Sequence, residues 1–122
     1  MHLIQLSNPV TIGELNVAEF LDCPSLTDRW PHAFALRIDG DSMHPSFTHG
    51  DLVILSPGVA ARQGKPAVVQ LRNQIGVTCK LFYRDRDDIR LIPVNEQVSA
   101  TKHKAGDLVW ALEVLYRVRV PG

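Results

Sequence analysis

The chain is short of most features that mark a specialised surface or compartment. Cysteine is nearly absent, with only Cys23 and Cys79 among 122 residues, too few for the disulfide framework of a small secreted protein. Both read as small buried hydrophobes without chemistry of their own, in a reducing, cytoplasmic setting. No apolar run approaches the roughly 20 residues that a membrane helix needs, and no signal-peptide architecture is visible. Neither sign of charge is in excess: Lys+Arg is 13 and Asp+Glu is 13, for a formal net charge of +0. That balance argues against the basic surface that phosphate backbones attract, so no direct nucleic-acid binding and no membrane association are expected. The length suits one domain with a real core, but not a catalytic domain plus a full DNA-binding domain.

What the chain does have is short apolar segments separated by turn residues. Residues 33–38 alternate Phe34, Leu36 and Ile38 with Ala35 and Arg37, the period of a half-buried strand. The run Leu52-Val53-Ile54-Leu55 follows the turn Gly50-Asp51. Residues 67–71 and 75–82 flank Arg72-Asn73-Gln74 as a hairpin, Arg84-Asp85-Arg86-Asp87-Asp88 is a charged turn, and 89–93 is a further strand. Residues 95–105 read as a polar loop, within which Lys102-His103-Lys104 is a solvated basic run. Residues 108–120 suggest one bent strand or two in succession. Gly50-Asp51-Leu52-Val53 is echoed by Gly106-Asp107-Leu108-Val109, although two occurrences do not make a repeat.

Nearer the amino end the pattern is weaker. Residues 1–10 read as an arm, a linker or a remnant of cleavage, and 11–122 as the domain proper. Between 11 and 21 a weak helical period competes with alternation, and Gly13 favours the extended form. Residues 26–31 form a connector in which Trp30 covers an edge of the core. With seven or so short strands and little helix, the expected fold is a mostly β, compact, twisted domain.

The segment that carries chemistry is Gly40-Asp41-Ser42-Met43-His44-Pro45, a turn between the strand at 33–38 and the one at 52–55. A serine hydroxyl held there is aimed, but it needs a base to take its proton. Lys80 is the candidate, because Cys79, Leu81 and Phe82 around it are uncharged and the first acid downstream is Asp85. In water an ordinary lysine keeps its proton at pH 7 by about 4.6 kcal/mol, so a lysine acts as a base only where burial disfavours the ammonium and no carboxylate restores it. The natural donors for the oxyanion are the backbone N–H groups of Asp41 and Ser42, with Met43 packed beneath. Singly, Ser42 reads as a turn serine and Lys80 as a solvated strand lysine; their co-occurrence is what favours catalysis. His44 and His49 with Asp41 and Asp51 match no common metal-ligand spacing, and the two histidines read as surface residues, so neither metal nor cofactor is expected.

Gly40-Asp41-Ser42-Met43-His44-Pro45, then Gly50-Asp51-Leu52-Val53, then Lys80, together resemble the LexA-like Ser-Lys self-cleaving peptidase domain, the family of LexA, UmuD and the carboxy-terminal domains of phage repressors. The likeness runs from about Phe34 to the end of the chain and takes in Leu91-Ile92-Pro93-Val94-Asn95. It implies a homodimer that cuts a peptide bond in its own upstream segment, with Ser42 as nucleophile and Lys80 as base. It also implies stimulation by RecA filaments after DNA damage. The family usually cuts at Ala-Gly or Cys-Gly; neither dipeptide occurs upstream of Ser42, and Ala105-Gly106 lies far downstream. A free-standing UmuD-like protein and a non-cleaving dimerisation module are the alternatives. A membrane-bound signal peptidase shares the Ser-Met turn and lysine base, but has an apolar anchor not seen here. Trp110, Leu112 and Tyr116 exceed what one face of a small core requires, which favours a subunit interface over residues 108–118.

Overall fold

The computed structural model describes residues 32–119, together with the backbone of strands at 5–7, 10–12 and 15–22. Eleven strands are described: β1 (Gln5–Ser7), β2 (Val10–Ile12), β3 (Leu15–Asp22), β4 (Phe34–Ile38), β5 (Leu52–Leu55), β6 (Pro66–Leu71), β7 (Val77–Asp85), β8 (Asp88–Ile92), β9 (Thr101–Lys104), β10 (Leu108–Glu113) and β11 (Tyr116–Val118). One short 3-10 turn, Ala105–Asp107, leads into β10. The first sheet runs β1-β3-β4-β5-β11, with β2 also paired to β3, and the second runs β10-β6-β7-β8-β9. All pairings are antiparallel. The fold is mostly β, as the alternation and turn spacing predict.

Leu36 and Ile38 of β4 and Val53 and Leu55 of β5 meet Val68 of β6 and Val77 and Cys79 of β7 in one core cluster. Since neighbours along a strand point to opposite faces, Ala67, Val69 and Leu71 of β6 join Phe82, Ile89 and Leu91 in a second cluster on the other face of the same sheet. β5 is buried at all four positions, which explains why it is apolar throughout rather than alternating.

Several boundaries differ from expectation. Residues 11–21 resolve as β2 and most of β3, the extended alternative, and residues 5–7, inside the stretch read as an arm, pair with β3. The polar loop at 95–105 contains β9, whose Thr101 and His103 stand opposite Leu91 and Ile89. A strand at a sheet edge buries little, so hydrophilic side chains are tolerated and suppress further pairing. Arg84 and Asp85 continue β7, leaving Arg86 and Asp87 to make the turn, with Arg86 at φ 54°. Residues 108–118 are two strands in different sheets, with Trp110 and Leu112 packed on the core and Tyr116 and Val118 exposed. Cys23 and the connector with Trp30 lie outside the described residues.

Candidate active site

The turn that carries Ser42 hangs between two hydrogen-bonded strand ends. Ile38 N–H donates to Asp51 O at 2.8 Å and Gly50 N–H to Ile38 O at 2.9 Å, closing the loop at its base. Gly40 and Gly50 take φ values of 108° and 92°, open to glycine and strained for other residues, so the chain reverses where the sequence supplies glycine. Within the loop, His44 N–H donates to Asp41 O and Phe47 N–H to Met43 O. The Met43 and Phe47 side chains enter the inter-sheet core. Met43 is 1% exposed, and Met43→Ala is expected to cost about 3 kcal/mol of unfolding free energy, read as a lower urea midpoint.

Lys80 lies on β7, opposite the buried Ala67 of β6. Its residue exposure is 8%. The Nζ donates to Ser42 Oγ at 3.0 Å and to Thr78 Oγ1 at 2.6 Å. Thus the structure brings together the two side chains that the sequence singles out. Thr78 was not singled out; two positions before Lys80 on a strand, it shares the lysine's face, and the period of two was the available signal. Beside the lysine is a cleft of about 170 Å³, lined by Gln74, Thr78, Lys80, Leu91, Thr101 and His103.

Other loop residues are tied to distant parts of the chain. Asp51 is 2% exposed. Its carboxylate accepts from Thr48 N–H at 2.9 Å, Thr48 Oγ1 at 3.2 Å, and Arg119 Nε and Nη2 at 3.2 and 3.1 Å. Burial pushes the Asp51 carboxyl up, but the hydrogen bonds from Arg119 and Thr48 and the charge of Arg119 outweigh it and hold the group below its ordinary value. Asp51 is thus a buried anchor of the loop. Arg117 Nη1 donates to Ser46 O at 2.9 Å. His49 Nδ1 accepts from Gly40 N–H at 3.1 Å and lies 3.4 Å from Asp39 Oδ1. Asn95, between β8 and β9, reaches the Ser42 turn itself: its Nδ2 donates to Asp41 O and its N–H to Ser42 O, both at 3.0 Å.

The two antiparallel sheets are those of a serine peptidase-type fold. The chain belongs to the Peptidase S24-like family, whose sequence profile matches residues 7–111. It is 32% identical over 108 residues to the LexA repressor of Leptospira biflexa, covering 88% of this chain and 52% of that protein. It is 38% identical over 88 residues to the LexA repressor of Halalkalibacterium halodurans, covering 71% of this chain and 42% of the relative. Repressor protein C of Rhizobium phage 16-3 is 38% identical over 56 residues, 46% of this chain and 21% of that repressor. The chain spans about half the length of the LexA repressors it matches. Among the described residues no helix is long and apolar enough to cross a membrane.

Proposed function

We propose that this chain is the self-cleaving serine peptidase and dimerisation domain of a LexA-like or phage-type transcriptional repressor. The observation that carries the reading is the 3.0 Å approach of Lys80 Nζ to Ser42 Oγ, with the lysine only 8% exposed. With the amine neutral, the direction of that hydrogen bond reverses and the Ser42 hydroxyl donates to the nitrogen lone pair. One N–H of the amine still serves Thr78 Oγ1, which fixes its orientation. Ser42 Oγ attacks the scissile carbonyl carbon as its proton passes to Nζ, and the carbonyl π pair becomes an oxyanion facing the N–H groups of Asp41 and Ser42. Collapse breaks the C–N bond, the ammonium returns its proton to the leaving amine, and water hydrolyses the acyl-serine by the same route.

The substrate on this reading is the chain's own upstream segment, with a RecA filament as the inducing partner. A second copy would pair at β11, the edge strand whose Tyr116 and Val118 are 44% and 38% exposed. A second reading, a dimerisation module that does not cut, is favoured by that same exposed apolar edge, which serves pairing without any chemistry. To separate the two, a fluorogenic peptide containing an Ala-Gly bond is added in trans across pH 7 to 10. The peptidase reading expects a rate that rises with pH, as catalysis by a neutral amine base requires, and that is lost in Ser42→Ala. A flat profile, or a rate unchanged in Ser42→Ala, leaves only the dimerisation module.

A further inference from the structure

Asn95 holds the nucleophile turn by both of its amide groups. Its side-chain Nδ2 donates to Asp41 O and its main-chain N–H donates to Ser42 O, each at 3.0 Å. These carbonyls belong to the two peptide planes on either side of the Ser42 Cα, so one residue fixes the nucleophile's backbone from both directions. The side-chain amide is in turn oriented, because Asn95 Oδ1 accepts from Gln97 N–H at 3.0 Å and thereby turns Nδ2 toward Asp41. In a trans peptide the N–H points opposite to the C=O of the same plane. The bond to Asp41 O therefore aims the Ser42 N–H away from Asn95, and it also polarises that amide into a stronger donor.

We infer that Asn95 is a positioning residue that sets the Ser42 N–H as an oxyanion donor. The inference rests on the peptidase reading above and adds a residue to it. It also separates two functions in one turn: Lys80 governs the proton on Ser42 Oγ, and Asn95 governs the donor that meets the developing negative charge. Removing the Asn95 side chain frees the plane carrying the Ser42 N–H but leaves the main-chain bond to Ser42 O in place. The loss then falls on the oxyanion and not on the serine–lysine contact.

The test uses Asn95→Ala and Asn95→Asp, the latter equal in shape but placing a carboxylate oxygen where Nδ2 faces the carbonyl. With the Ala-Gly fluorogenic peptide, kcat should fall about 10- to 100-fold in both, approaching the loss of one oxyanion donor, with KM within twofold and the pH profile unmoved. An acetyl-dipeptide boronic acid ending in boro-alanine, whose tetrahedral adduct mimics the charged intermediate, should lose affinity by the same factor. Independently of activity, the Ser42 amide resonance should shift in both variants in a nitrogen–proton correlation spectrum. A kcat within twofold of wild type, or a Ser42 amide that does not move, overturns the role of Asn95 while leaving the peptidase intact. So does a loss carried by KM together with a lower melting temperature, which marks a merely structural residue. A wild-type chain that neither cleaves the peptide nor takes the boronate overturns the underlying peptidase reading instead.

Discussion

Ser42→Ala and Lys80→Met are each expected to reduce peptide cleavage on the order of 10⁴-fold or more, and the double variant to be no slower than either single one. On the peptidase reading the two side chains act as one device. Without Oγ there is nothing for the amine to deprotonate, and without the amine the hydroxyl remains a poor nucleophile at 3.0 Å from where its base had been. Independent contributions would multiply; a shared step does not. Thr78→Val, which removes the acceptor 2.6 Å from Nζ, is expected to cost about tenfold, because the amine stays but loses one of the contacts that orient it. Stability should move differently. Lys80 is buried beside Ala67, and methionine keeps most of its stem while removing the polar head, so Lys80→Met should unfold at the same denaturant concentration as wild type or higher. Initial rates with the Ala-Gly peptide and urea midpoints on the same preparations decide this. A double variant slower than both singles by the product of their effects would refute the shared step.

The second large effect concerns folding. Asp51→Ala is expected to cost about 2–3 kcal/mol at pH 7, because the Thr48 N–H and the Arg119 guanidinium lose a buried acceptor. Arg119→Ala should cost less, since that side chain is 52% exposed and water replaces what it loses. The folded Asp51 carboxyl sits below its ordinary value, burial raising it but Arg119 and Thr48 lowering it further. Its contribution is therefore present in full above the unfolded carboxylate value of about 3.9 and disappears as the pH falls through the lower folded value. Asp51→Asn, compared with wild type by urea unfolding, should show a deficit at pH 7 that shrinks below about pH 3. An equal deficit at both would mean that shape, not charge, holds the loop.

The parts of this arrangement that were legible in the sequence are those set by local period. Phe34, Leu36 and Ile38 alternate, Leu52 to Leu55 is bounded by turn residues, and both strands form where that pattern puts them. Ser42 and Lys80 stood out by local chemistry, one at a turn and the other among apolar neighbours. What was missed depends on partners far along the chain. Asp51 looks like half of a Gly-Asp turn until Arg119 arrives to bury it, and Asn95 is one polar residue among several until its loop folds back on Asp41. β9 was hidden for a different reason: Lys102, His103 and Lys104 carry no apolar signal, because an edge strand is held by its ladder to β8.

These long reaches also bear on timing. The serine turn is met by Lys80 from 38 positions on, by Asn95 from 54 positions beyond Asp41, and by Arg117 from 71 positions beyond Ser46. Ser42 is therefore synthesised before every one of these groups. On the peptidase reading the hydroxyl gains its base only once the chain has run on to Lys80, and the turn gains the last of these ties only when β11 pairs with β5.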